Sequence, residues 1–215
     1  MKKIKFNSMT VFCGASKGIN PKLFPPAYRL GEIIGENKMK LVFGIGDNGM
    51  MGQVFKGALS KGAAMEGVTT KELLELQCED PTLFKDGEIS IVPDLFVRKF
   101  TMFKDGDIIV VLPGGWGTID EFAEFCVTIQ TGQILKKPLI FVNLNNFYKP
   151  LKQLLKVMYN NGCINDDRTN FLAFVDSVEE VLPKAQEIAR KIEPEKKAKI
   201  QEAINKIKNK KRNVQ

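Results

Sequence analysis

Short apolar runs alternate along most of the chain with longer segments of helical spacing. The clearest run is 108–112, unbroken and rich in β-branched residues, which suits a strand buried on both faces. Residues 9–13, 41–43, 63–68, 89–92 and 138–142 read as further strands, and 171–175 as a short edge strand. The segments between them place apolar residues three and four apart. Residues 21–37 put Leu23, Ala27, Leu30 and Ile34 on one side, the firm helix starting near Pro26, and residues 50–60 do the same with Met51, Val54, Phe55 and Ala58. A helix over 94–104 is expected to turn Leu95, Phe96, Phe100 and Phe103 to the core and Arg98 and Lys99 elsewhere. From Thr118, another carries Phe122, Phe125 and Ile129 on one side. Residues 147–160 and the chain from Val178 also read as helices, 71–76 as a helical or irregular piece and 79–87 as a charged loop. Strands alternating with helices at this spacing imply an α/β fold, a doubly wound, mostly parallel sheet with helices on both faces.

Such sheets bind ligands at the carboxyl ends of their strands, and three glycine-bearing loops, 14–18, 44–52 and 113–117, would open there. The last lies between a buried strand and a helix. Its glycines let backbone approach a ligand, and the first helical N–H groups point at it, which makes an anion site. Gly44, Gly46 and Gly49 match the dinucleotide fingerprint. That fingerprint also needs an acid at the end of the following strand, and this strand ends near Val68-Thr69-Thr70 with no acid from there until Glu72. No Walker lysine follows either loop, so triphosphate hydrolysis is not expected.

The chain has 215 residues, 44% of them hydrophobic, enough for one substantial core. We expect a single nucleotide-binding α/β domain over 1–192 and a basic, helical or frayed tail over 193–215. The net charge of +7 sits entirely at that end. Residues 183–215 hold 11 basic and 4 acidic residues, whereas the preceding 182 balance at 21 each. Ile188, Ile192, Ile200, Ile204 and Ile207 give the tail partial helical spacing, with weak binding to acidic surfaces as its alternative to a solvated extension. No run reaches transmembrane length, polar residues interrupt any leader-like start, and four scattered cysteines form no CxxC pair. A cytoplasmic protein follows as the expectation, with no membrane partner and nucleic acid a poor candidate. Histidine is absent. Ser-His and Cys-His catalysis are thereby excluded, and the commonest zinc ligand is missing. No metal or cofactor is expected, and acid–base work falls to other groups.

Glu121 has two readings on spacing alone. With Thr118 it forms a capping box, or it faces a ligand's ribose beside the glycine loop. Asp120 reads as a solvated acid of the first turn. Arg98 and Lys99 read either as an exposed basic pair or as a grip on phosphate.

Residues 113–121, PGGWGTIDE, resemble the PGGxGTxxE signature of the Lonely Guy family of cytokinin riboside 5′-monophosphate phosphoribohydrolases, formerly labelled lysine decarboxylases. Other landmarks follow in order over about 10–181: FCGAS at 12–16, GIGDNGMMG at 44–52 and FVRK at 96–99. The resemblance implies a Rossmann-like homodimer that cleaves the N-glycosidic bond of AMP or a cytokinin-type purine nucleotide, giving free base and ribose 5-phosphate. It implies Arg98 and Glu121 as catalytic residues. Ser16, Gly46, Gly49, Met50, Lys99, Gly114, Gly115, Gly117 and Thr118 then stand as substrate-binding residues. Phe96 and Val97 replace a family His and Glu, Asp47 replaces a small Ser, and Val68-Thr69-Thr70 replaces Val-Ile-Pro. The alternative is a non-catalytic nucleotide or cofactor carrier of the same fold. A pyridoxal phosphate decarboxylase would need a Schiff-base lysine context that the sequence does not offer.

Overall fold

The computed structural model describes residues 3–78, 89–164 and 169–212; the expected loop over 79–87 lies outside them. Seven parallel strands form one sheet in the order β4-β3-β2-β1-β5-β6-β7. They are β1 (Ser8–Phe12), β2 (Lys40–Phe43), β3 (Met65–Thr69), β4 (Ile89–Ile91), β5 (Ile108–Val111), β6 (Leu139–Val142) and β7 (Leu172–Val175). Each expected strand is present. β5 is fully buried and lies between β1 and β6, and β7 is the edge.

The helices are α1 (Phe24–Glu36), α2 (Gly49–Ser60), α3 (Lys71–Gln77), α4 (Leu95–Asp105), α5 (Trp116–Gln130), α6 (Lys149–Asn160) and α7 (Val181–Arg212). The chain leaves β1 for β2 on one side and later returns to pair β5 on the other. The order therefore reverses between β1 and β5, and a crevice opens at their carboxyl ends. Aromatic side chains fill the layer against α4 and α5. The Phe103 ring lies 5.9 Å from Phe12 and 5.4 Å from Phe125. Tyr148 donates its hydroxyl to Leu112 O at 2.7 Å, fastening the approach to α6 to the end of β5.

α4 is turned over relative to its expected orientation. Leu95 (49% exposed), Phe96 (72%) and Phe100 (38%) face outward, while Arg98, Lys99 and Met102 are buried and only Phe103 enters the core as expected. The helix obeys the polar partners beneath it. Arg98 reaches carbonyls at the ends of β2 and β3, and Lys99 reaches acids on α5. A desolvated cation with several acceptors outweighs burial of two phenyl rings that α4 can leave at the surface.

α7 runs unbroken through Pro194, packing Val181, Ala185, Ile188 and Ile192 on the body. Ile200 and Ile204 are exposed; the Ile207 side chain lies outside the described residues. No helix among these residues is long and apolar enough to cross a membrane.

Candidate active site

All three glycine loops meet at the crevice, and one residue ties them together. Gly14 donates its N–H to Pro113 O at 3.0 Å, and its carbonyl accepts from the Met50 and Met51 N–H groups at 3.0 and 3.2 Å. Above this junction lies a cavity of about 880 Å³. The PGG turn forms one wall. A side chain at Gly114 would sit 2.1 Å from Thr118 Oγ1 and 2.9 Å from Gly14 N, so only glycine lets the turn press against the first loop. Gly115 and Gly117 are different. A Cβ there meets nothing within 4 Å, so the protein itself does not crowd them, and the space belongs to the cavity they line.

α5 begins at Trp116, two residues earlier than expected, with Gly115 as its N-cap and no side-chain capping bond. Thr118 and Glu121 therefore lie inside the helix and do not form a capping box. Helical geometry carries Glu121 one turn on from the open N–H groups, where it is 7% exposed and lines the cavity.

Arg98 holds Glu121 in place. Its Nε donates to Val68 O at 2.9 Å, Nη2 to Gly44 O at 3.0 Å and Nη1 to Glu121 Oε1 at 3.4 Å. A Cβ on Gly44 would lie 1.9 Å from Nη2, so the second loop needs glycine there to admit the guanidinium. Burial raises the Glu121 carboxyl from 4.5 to about 7, the nearby Arg98 charge pulling it back only in part. Burial also lowers the Arg98 pKa, so each partner of the pair is pushed toward its neutral form. Beneath them, burial and the Glu121 charge push the Cys13 thiol up, leaving it protonated and inert as a nucleophile.

Of the expected site residues, Ser16, Arg98, Gly114, Gly115, Gly117, Thr118 and Glu121 converge on the cavity. Lys99 does not line it. Its Nζ donates to Asp120 at 2.8 Å and pairs with Glu124, and these acids raise its pKa against the opposing pull of burial. Asp120 is thus paired and not simply solvated. Gly46, Gly49 and Met50 are not among the lining side either. Gly49 and Met50 act through backbone, Gly49 at φ +57° and Met50 through its N–H to Gly14. Asp47 is also outside the lining, and its neighbour Asn48 takes that place. The structure adds Lys17, Met51, Asn145 and Phe147. Lys17 and Met51 sit in or next to loops the sequence had marked. Asn145 and Phe147 come from the turn after β6, which carries no glycine signal, although Asn145 and Asn146 take left-handed φ of 51° and 61° there.

A family model described as possible lysine decarboxylase matches residues 51–185. A probable cytokinin riboside 5′-monophosphate phosphoribohydrolase of Oryza sativa subsp. japonica is 34% identical over 182 residues, covering 85% of this chain and 77% of the relative. A cytokinin riboside 5′-monophosphate phosphoribohydrolase of Arabidopsis thaliana is 31% identical over 197 residues, covering 88% and 89%. Among solved structures, the molybdenum cofactor binding protein of Rippkaea orientalis aligns with a TM-score of 0.61 at 17% identity, over 82% of this chain and 94% of that one. The molybdenum cofactor carrier protein of Chlamydomonas reinhardtii aligns at 0.59 and 14%, over 86% and 99%. At these identities the likeness is one of fold.

Proposed function

The chain belongs to the family that the possible lysine decarboxylase model describes and that includes the cytokinin riboside 5′-monophosphate phosphoribohydrolases, and on that footing we propose that it hydrolyses the N-glycosidic bond of a purine nucleoside 5′-monophosphate. The observation that carries this reading is Glu121, a buried carboxyl near neutrality, facing a cavity beside an open helix N-terminus.

In this reading the 5′-phosphate docks on the N–H groups of 114–118 and the Thr118 hydroxyl, favoured by the α5 dipole. The C1′–N9 bond then breaks, its electron pair leaving with the base, and positive charge grows at the anomeric carbon. Ionised Glu121 offsets that charge and takes a proton from the water that adds to C1′, as carboxylates do in glycoside hydrolysis. That proton passes on to the departing base, which leaves as the neutral purine and returns the carboxylate to its ionised form. A carboxylate conjugate to an acid of about 7 is a stronger base than an ordinary one. Arg98 offsets part of the burial that raises the Glu121 pKa and keeps the carboxylate aimed. AMP and N6-prenylated AMP are the candidate substrates.

We also assign the outward apolar face of α4 to a second copy of the chain, since a soluble monomer rarely leaves three large apolar side chains on one helix in water. Four cysteines that form no disulfide among the described residues suit a cytoplasmic setting.

The test is release of free base and ribose 5-phosphate from AMP and isopentenyl-AMP. Absence of release from both at high enzyme concentration sinks the hydrolase, and AMP bound but intact after overnight incubation identifies a carrier instead. For the homodimer, sedimentation should give twice the chain mass, and Phe96→Ser with Phe100→Ser should halve it.

A further inference from the structure

Asn48 is the N-cap of α2, at φ −108° and ψ 164°, yet its side chain makes no capping bond. An asparagine in that position ordinarily accepts from the second or third helical N–H. Here those two donors, Met50 and Met51, go to Gly14 O instead. The cap is thus supplied by the first loop, and the Asn48 amide is released for other work.

That amide is also oriented. Asn48 Nδ2 donates to Asp47 Oδ1 at 2.8 Å. A carboxylate only accepts, so the amide must present nitrogen to Asp47 and direct its oxygen elsewhere. Asn48 lines the cavity and Asp47 does not. Among the described residues Asn48 Oδ1 accepts no hydrogen bond, and a half-buried amide oxygen left so is an acceptor in want of a donor. The acid that stands where the family has a small serine is a buttress for its neighbour, and so does not oppose a phosphate.

We propose that Asn48 is a specificity-determining residue, its oxygen held by Asp47 to accept a hydrogen bond from an N–H or O–H donor of the bound nucleotide. This rests on the nucleotide reading above. Two donors of such a ligand fit the chemistry, the exocyclic amine of the base and a ribose hydroxyl. A neutral acceptor fixed in this way discriminates sharply, because a ligand without the matching donor leaves it desolvated and unpaired.

Calorimetric titration separates the sources. AMP, inosine 5′-monophosphate, 2′-deoxy-AMP and 3′-deoxy-AMP are titrated into protein that is wild type at 47 and 48, Asn48→Leu, Asn48→Ala and Asp47→Ala, each in a Glu121→Gln background that keeps the nucleotide intact and each checked for folding by circular dichroism. Wild type should bind AMP about 10- to 100-fold more tightly than the one analogue that lacks the matching donor. The inosine nucleotide singles out the base amine, and a deoxy analogue singles out the hydroxyl. Both Asn48 variants should lose that preference, weakening AMP while leaving the analogue within about threefold, and Asp47→Ala should erode it in part. Equal weakening of all four ligands, or unchanged AMP affinity, overturns the assignment while leaving the nucleotide reading intact. Wild type binding none of the four overturns both.

Discussion

At the scale of single residues, burial is what sets Glu121 apart from an ordinary glutamate. If Glu121 must be ionised to act, log kcat/KM for AMP should rise with unit slope and level off near pH 7. Glu121→Gln should lower kcat about 100- to 1000-fold. The same substitution should stabilise the fold, in a pH-dependent way. Native Glu121 holds its proton to about 7 and the unfolded chain releases it near 4.5, so wild-type stability declines as pH rises between those values and is level above. The interval corresponds to about 3 kcal/mol as an upper figure. Thermal unfolding at pH 5 and pH 8 should therefore show the advantage of Glu121→Gln over wild type widening toward pH 8; a constant offset would contradict the burial argument. Gly44→Ala should displace the guanidinium that lies 1.9 Å from the added methyl and move the pH–rate midpoint upward, since the Arg98 charge is what holds it down. The motif made Arg98 and Glu121 legible as a pair. It did not say that Arg98 spends its donors on Val68, Gly44 and Glu121, because carbonyl acceptors leave no trace in a sequence.

Among the elements, strands were easier to read than helix faces. A run such as 108–111 is apolar on both sides, and any register buries it. α4 offered two competing stripes, and apolar periodicity favoured the wrong one. The winner was decided by acceptors on β2, β3 and α5, which are far away in sequence. The orientation is checkable in the energetics. Met102→Ala should cost about 3 kcal/mol in denaturant unfolding, whereas Phe96→Ser, measured below the concentration of association, should cost under about 0.5 kcal/mol. The reverse order would restore the orientation expected from periodicity. α5 shows a related failure. Thr118 and Glu121 have capping-box spacing, but the glycines ahead of them let the helix begin at Trp116, which moved both residues from its end to its interior.

For the molecule as a whole, alternation of strands and helices implied the layers and the carboxyl-end crevice, and the net charge is confined to the C-terminal tail. Residues 196–215 hold 8 basic residues and 1 acidic one, so their removal leaves a protein of zero net charge. Ile192 and the Lys136–Glu195 pair stay behind. Truncation after Glu195 should shift the unfolding temperature by less than about 2 °C and leave AMP turnover unaltered. It should, however, create a solubility minimum near neutral pH, because a chain without net charge associates. A larger loss of stability would mean that the distal part of α7 packs on something. Gly14 has a different kind of reach. With its one N–H and one carbonyl engaged on the other two loops, neither of them can swing away from the first without breaking a backbone hydrogen bond to Gly14. Among the described residues the three loops therefore form one tied rim, and capture of a ligand on that rim is expected to need no closing step. In stopped-flow mixing, the observed rate should climb in proportion to nucleotide concentration without reaching a ceiling.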